Sequence, residues 1–251
     1  VLNMNMYKEI TDQCVNWIKE WFEVNGKNCN AVVGLSGGKD STIVAALCVK
    51  ALGADRVIGV AMPASNQGLN DADKIAEHLG ITFIVAPIGE ICGEFSKVPH
   101  HFSWSVQSIQ NIPPRIRMTM LYAIAQTFNG RVSCNCNLSE DWVGYSTLFG
   151  DSVGSFAPLA KLTVTEVKEV GRVLGLPSIW VDKTPDDGLP ASMSDEQKFG
   201  FTYDTLDHYI RTGLCKDKSV KEKIDSMHKK NLFKLDIIKV PTFIPDDSLW
   251  Q

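Results

Sequence analysis

The stretch Ala31-Val32-Val33-Gly34-Leu35-Ser36-Gly37-Gly38-Lys39-Asp40-Ser41, running on into Thr42–Leu52, decides the fold. Ala31–Leu35 is an apolar run with β-branched Val32 and Val33, long enough for a buried strand and too short for a helix. The residues that follow are small, polar or glycine. From Ser41 onward Ile43, Val44, Leu47, Cys48 and Leu52 recur at helical spacing, and Gly53 offers a C-terminal cap. Strand, glycine loop and helix start together make an anion site, because unpaired backbone N–H groups and the helix dipole converge on one point. The expected ligand is a phosphate group.

The loop is not a Walker A motif, which needs lysine directly before the hydroxyl residue. Here Asp40 stands between Lys39 and Ser41. A carboxylate about 4 Å from a phosphate charge costs on the order of 4 kcal/mol at an effective dielectric near 20. Such a loop makes sense where a divalent metal bridges carboxylate and phosphates. Ser-Gly-Gly-x-Asp-Ser resembles the pyrophosphate loop of ATP pyrophosphatases, which cleave ATP between its α- and β-phosphates. Members include NAD synthetases, GMP synthetase, asparagine synthetase and tRNA-thiolating enzymes, so the loop points to a superfamily and leaves the substrate open.

At 251 residues, with 44% hydrophobic and 22% charged, the chain has the composition of a soluble globular protein, and it reads as one domain over residues 1–251. No apolar run approaches a membrane span, and Lys8, Glu9 and Asp12 interrupt any signal-peptide core, so the expected location is cytoplasmic, with no membrane partner. The seven cysteines form no framework and are read as reduced thiols. A net charge of −4 argues against a nucleic-acid partner.

Around the loop, Met4–Glu23 is an amphipathic helix, Arg56–Met62 a strand, Asn70–Leu79 a helix and Ile81–Ile88 a strand. This alternation predicts a parallel sheet with right-handed crossovers and a ligand beyond the strands' carboxyl ends. Ser96–Ile112, with His100 and His101, reads as an irregular surface loop. Arg115–Phe128 reads as a helix whose Arg115 and Arg117 point to different sides, one free for a ligand. Arg131–Asn137 is the next expected strand, its Cys134 and Cys136 buried as small hydrophobes, with Glu140 and Asp151 following on the ligand side. Thr163-x-x-Glu166 is a capping box for a helix to Leu174, and Leu176–Gly188 is turn-rich. Asp195–Thr212 reads as one helix, and Ser219-x-x-Glu222 caps another that carries His228-Lys229-Lys230.

In order, Asn111, Arg115-x-Arg117-Met118, Asn137-x-x-Glu140, Gly144-Tyr145-x-Thr147, Gly150-Asp151, Leu174-Gly175-x-Pro177, Asp195-Glu196 and His228-Lys229-Lys230 resemble the ammonia-dependent NAD synthetases over nearly the whole chain. The resemblance implies an α/β fold, a doubly wound parallel sheet flanked by helices of the Rossmann-like ATP-pyrophosphatase type. It also implies amidation of deamido-NAD, with ATP as co-substrate, Mg²⁺, ammonia and a homodimer. Residue by residue, it assigns Mg²⁺ to Asp40 and Glu140, with Asp151 as a further catalytic group that takes a proton from ammonium. It assigns ATP to Gly34, Leu35, Ser36, Gly37, Gly38, Lys39, Asp40 and Ser41, with Asn135. Deamido-NAD falls to Asn111, Arg115, Tyr145, Asp151, His228 and Lys229. The thirty residues ahead of Ala31 leave no room for a glutamine-hydrolysing domain, so ammonium is the expected nitrogen source.

The chain departs from the family pattern at four places. Cys134-Asn135 stands for the usual Gly-Thr, Leu148 and Val164 for lysines, and Asp186 for a serine or threonine. Lys161, three residues before Val164, is the expected replacement for the lost phosphate-binding lysine. These losses leave room for alternatives: a related adenylating amide- or sulfur-transfer enzyme, or a nucleotide-binding protein without turnover.

Overall fold

The computed structural model describes residues 4–65, 69–98, 101–183, 194–237 and 242–246. Its elements are α1 (Met4–Asn25), β1 (Asn30–Gly34), α2 (Lys39–Leu52), β2 (Val57–Ala61), α3 (Leu69–Leu79), β3 (Thr82–Val85), α4 (Gly89–Lys97) and α5 (Val106–Thr127). There follow β4 (Gly130–Val132), α6 (Leu138–Val143), α7 (Val164–Val173), α8 (Ser178–Val181), α9 (Asp195–Phe199), α10 (Tyr203–Thr212) and α11 (Lys218–Ile237).

Strand β1 is apolar on both faces and lies inside the sheet, as a strand covered twice must. Val33 and Ala31 face a core with Ile10, Ile18 and Phe22 of α1, Ile43 and Leu47 of α2, and Val167 and Val170 of α7. Val32, one residue out of phase, faces a second core with Met118, Leu121 and Ala125 of α5. All pairings are parallel and the strand order is β3-β2-β1-β4. The chain therefore winds outward from β1 to β3, then crosses back to add β4 on β1's other side. That reversal opens a crevice between the carboxyl ends of β1 and β4, the place where such sheets take ligands.

Several boundaries differ from the sequence reading. Helix α5 begins at Val106, inside the stretch expected to be irregular, and runs through Pro113 and Pro114. Proline favours helix starts because it lacks an N–H, which draws the eye to Arg115. The true start is capped by Ser105, whose Oγ accepts from Ser108 N at 3.1 Å, and buried Ile112 ties the upstream turns to the body. Strand β4 stops at Val132, short of Asn137: Ser133 N still donates to Val32 O of β1 at 3.0 Å, but Ser133 also bridges to Phe156, and Cys134 N donates to Phe156 O at 2.8 Å. Gly154 permits this approach: a Cβ there would collide with the backbone of Ser133 and Cys134. The expected Asp195–Thr212 helix is two, α9 ending before Gly200 and α10 starting on the cap of Thr202. Helix α11 starts one residue before Ser219, and Asp217 caps it, its Oδ1 accepting from Ser219 N and Val220 N. Helices α4 and α6 had no counterpart in the sequence reading. His100 and Asp186 lie outside the described residues; His101 is exposed.

All seven cysteines are free thiols. Among the described residues, no helix is long and apolar enough to cross a membrane.

Candidate active site

The phosphate loop is wired by its own hydroxyls. Gly37 takes φ +78°, and Gly38 becomes the N-cap of α2. Ser36 Oγ accepts from Gly38 N at 3.1 Å and meets Ser41 Oγ at 3.1 Å. Thr42 Oγ1 donates to Gly38 O at 2.7 Å. Lys39 is buried, and its Nζ pairs with Asp40 Oδ2 at 2.5 Å. Burial works against its charge, but Asp40 and then Glu140 raise its pKa above the ordinary value. On the crevice side Asn135 Nδ2 donates to Gly34 O at 3.1 Å, spanning the gap between β1 and β4.

The facing wall is acidic, and Asn137 organises it. As N-cap of α6 its Oδ1 accepts from Glu140 N at 3.0 Å, while its Nδ2 donates to Asp40 Oδ1 at 3.2 Å. One side chain thus caps the helix that carries Glu140 and orients the loop carboxylate. Glu140 is pushed well above the usual carboxylate range by burial and then by Asp40; Lys39 opposes the shift. Asp141 is raised to about 6, by burial first, with Asp151 adding and Ser146, Lys161 and Lys234 opposing. Asp151 is exposed as a residue, but its carboxyl is partly enclosed and its pKa is raised by that desolvation; its Oδ1 accepts from Thr147 N at 2.8 Å and its Oδ2 receives the Cys136 thiol at 3.7 Å. Among the described residues, no group of three or more His, Cys, Asp or Glu side chains forms a metal cage. The repulsion between Asp40 and Glu140 nevertheless fits a hard divalent cation, which takes one or two carboxylates and completes its shell with phosphate oxygens and water.

Of the residues expected to hold the second nucleotide, Asn111, Arg115, Tyr145 and His228 contact or belong to the segment that follows Glu140, and among the described residues Lys229 is not brought into contact with it. Asn111 Oδ1 accepts from Thr147 Oγ1 at 3.0 Å, so Thr147 links Asn111 to Asp151. Arg115 Nε donates to Leu148 O at 3.1 Å, whereas Arg117 is half-buried and donates to Met62 O at 3.0 Å. Tyr145 is partly exposed, edge-on to Phe199 at 5.1 Å, and accepts from Lys198 at 3.0 Å. His228 stacks on Trp142 at 4.0 Å, its Nδ1 2.9 Å from Trp142 O. Lys229 is exposed on α11. Lys161 is exposed too; its carbonyl accepts from Arg211 at 2.7 Å and its ammonium acts on Asp141.

Three site residues carried no assignment from sequence. Asn137 was legible, since an Asn three residues before a glutamate is a helix-cap pattern. Lys183 stands in the family's Lys-x-Pro pattern, but that pattern gave no signal of its contact, Nζ donating to Gly37 O at 3.0 Å. Nor was there a signal for the place of Lys234, which donates to Gly144 O at 2.9 Å and Ser146 O at 3.0 Å, and whose burial lowers its pKa.

Comparison with known proteins then decides the family. The NAD synthase family model matches residues 10–239. The chain belongs to the NAD synthase family. It is 36% identical over 236 residues to an NH(3)-dependent NAD(+) synthetase of Methanocaldococcus jannaschii, covering 92% of this chain and 89% of that one. The solved NMN synthetase of Francisella tularensis superposes with a TM-score of 0.84 at 30% identity, covering 94% of this chain and 99% of that one. The NH3-dependent NAD synthetase of Campylobacter jejuni superposes at 0.74 with 29% identity, covering 95% and 99%.

Proposed function

We propose that this chain amidates deamido-NAD with ammonia at the expense of ATP, giving NAD, AMP and pyrophosphate. The observation that carries this is the pairing of a phosphate loop with Asp40 and Glu140, two carboxylates crowded at the loop's mouth. In the first step the nicotinate carboxylate oxygen attacks the α-phosphorus of ATP and the bond to pyrophosphate breaks. In the second, the nitrogen of ammonia attacks the carbonyl carbon and AMP leaves with the C–O electrons. The loop Gly34–Ser41 and Asn135 hold the phosphates with backbone and side-chain donors. Asp40 and Glu140 would hold Mg²⁺, which when bound would supply positive charge to screen the triphosphate and the departing pyrophosphate. Asp151, with its raised pKa, takes a proton from the incoming ammonium. Asn111, Arg115, Tyr145, His228 and Lys229 bind the nicotinate nucleotide, and Lys161 adds positive charge on the acidic side.

Relatives named for ammonia, matched over most of their length, support ammonium as the nitrogen source. The chain acts as a single cytoplasmic domain that pairs with a second copy. Support for pairing comes from the exposed side chains of Phe102, Val106 and Ile109, which leave an apolar strip where α5 begins.

A second reading takes nicotinate mononucleotide as the acceptor. The higher superposition score of the NMN synthetase favours it. The experiment is an assay of AMP and pyrophosphate release with ammonium and either deamido-NAD or nicotinate mononucleotide. Equal AMP and amide from deamido-NAD at the higher kcat/KM supports the first reading; preference for the mononucleotide supports the second. No AMP from either overturns both.

A further inference from the structure

The lysine inside the loop motif is not the one that faces the phosphates. Lys39 lies buried against Asp40, its charge already matched. The start of α7, where the family pattern places a lysine, is closed as well. Val164 is buried, its N–H donates to Ser139 Oγ at 3.0 Å, and Thr165 N donates to Asp207 Oδ2 at 2.8 Å. Lys183, just past α8, instead reaches back to the loop apex. Its Nζ donates to Gly37 O at 3.0 Å and pairs with Asp71 Oδ2 at 2.5 Å. Both partners of the pair are substantially solvent-exposed, at 34% and 42% of their side-chain surface.

We propose that Lys183 binds the outer phosphates of ATP and then the departing pyrophosphate, with Asp71 as its resting partner. This rests on the amidation reading above. An ammonium carries three donors, and the two contacts seen leave one for a ligand. Exposed ion pairs are weak, so a phosphate seated on the neighbouring N–H groups of the loop draws Lys183 away from Asp71. Asp71 is then a brake: it neutralises Lys183 while the site holds no anion and competes with the phosphate for it. The arrangement supplies from α8 the cation that Val164 lacks, and Lys161 is not needed for it.

The test uses the full chain with inorganic pyrophosphate and Mg²⁺ by calorimetry, and steady-state kinetics in parallel. Lys183→Met should weaken pyrophosphate binding and raise the KM for ATP about tenfold, the scale of one charge-assisted contact, leaving the KM of the nicotinate substrate unchanged. Lys183→Arg should recover most of the loss. Asp71→Asn should tighten pyrophosphate about two- to threefold, because the competing carboxylate is gone. If Asp71→Asn weakens pyrophosphate as much as Lys183→Met does, the pair only braces the loop and the proposal falls. It falls equally if folded Lys183→Met binds pyrophosphate like the parent; should that variant melt early, the Lys183→Arg and Asp71→Asn results decide. A parent protein that makes no AMP overturns the amidation reading, while the pyrophosphate titration still judges Lys183.

Discussion

The two walls of the crevice are built in opposite ways. On the loop side, positive groups are matched at close range: Lys39 by Asp40, Lys183 by Asp71, and the loop hydroxyls by neighbours within five residues. On the α6 side, Glu140, Asp141 and Asp151 crowd together, and all three carboxyls hold their protons above the usual range, burial being the first cause. One wall is at electrostatic rest and the other is under tension. The lesson is that Lys39, Lys161 and Lys234 offset only part of the acidic wall's charge, so its carboxyls favour their protonated forms.

The strongest way to break this contrast is to remove the tension. Glu140→Gln and Asp40→Asn should each lower Mg²⁺-dependent kcat/KM at least tenfold, about 1.4 kcal/mol or more of lost transition-state stabilisation. Glu140→Gln should melt no earlier than the parent, since a costly buried charge is gone. Turnover with unchanged Mg²⁺ dependence in both variants would remove the metal assignment.

Asn137 joins the walls, and two variants separate its roles. Asn137→Ala should lose the α6 cap, about 1 kcal/mol of stability, together with activity. Asn137→Asp keeps a capping oxygen but sets a carboxylate against Asp40 in place of the donor, so activity should stay low and stability should recover only at acid pH, where the new carboxyl is protonated. Thermal melts beside kinetics read the split; recovery of both would mean that the Asp40 contact is idle.

Asp141 sharpens the contrast through pH. It binds its proton more tightly folded, near pKa 6, than at the ordinary 3.8, so stability should fall as pH rises from about 4 to 6 and stay lower above that. Asp141→Asn should make this fall shallower, leaving the share that Glu140, Asp151 and Asp207 contribute, and raise stability at pH 7.5 by about 2 kcal/mol at most, part of the gain being offset by the weakened bond to Ser146. Denaturant titrations at pH 4 and 7.5 check it, and a parent-like pH slope in the variant would count against the assignment.

The smallest effect belongs to Lys161→Ala. Lys161 acts on Asp141, so its loss should move the pH of that stability change slightly upward. Because Lys183 is the lysine on the loop, the KM for ATP should rise less than about twofold. A severalfold rise would restore Lys161 as a phosphate ligand.

How much of this was legible differs along the same line. The loop could be read because its parts are consecutive: β1, the glycines, the hydroxyls and α2 interact within a dozen residues, so spacing in sequence is spacing in space. The parallel sheet was legible too, since apolar runs alternating with amphipathic helices admit few topologies. The double proline misled at α5 because a local preference was overridden by the Ser105 cap and by the packing of Ile112. The end of β4 could not be read, because beyond Ser133 the backbone turns from β1 to Phe156, a partner with no local signature.

By itself, then, the sequence determined the loop, the winding of the sheet and the family to which the chain belongs. The loop and the alternation of strand and helix follow from short-range periodicity and from residue types whose chemistry is set by immediate neighbours; the winding and the family follow from the motif resemblance along the whole chain. Only the tertiary structure decided which charges meet: Asn137 with Asp40, Lys234 with Gly144 and Ser146, and Lys183 with Gly37 and Asp71 across 146 and 112 residues. Electrostatic energy depends on separation in space and on burial. A lysine's place along the chain carries neither until the chain has folded.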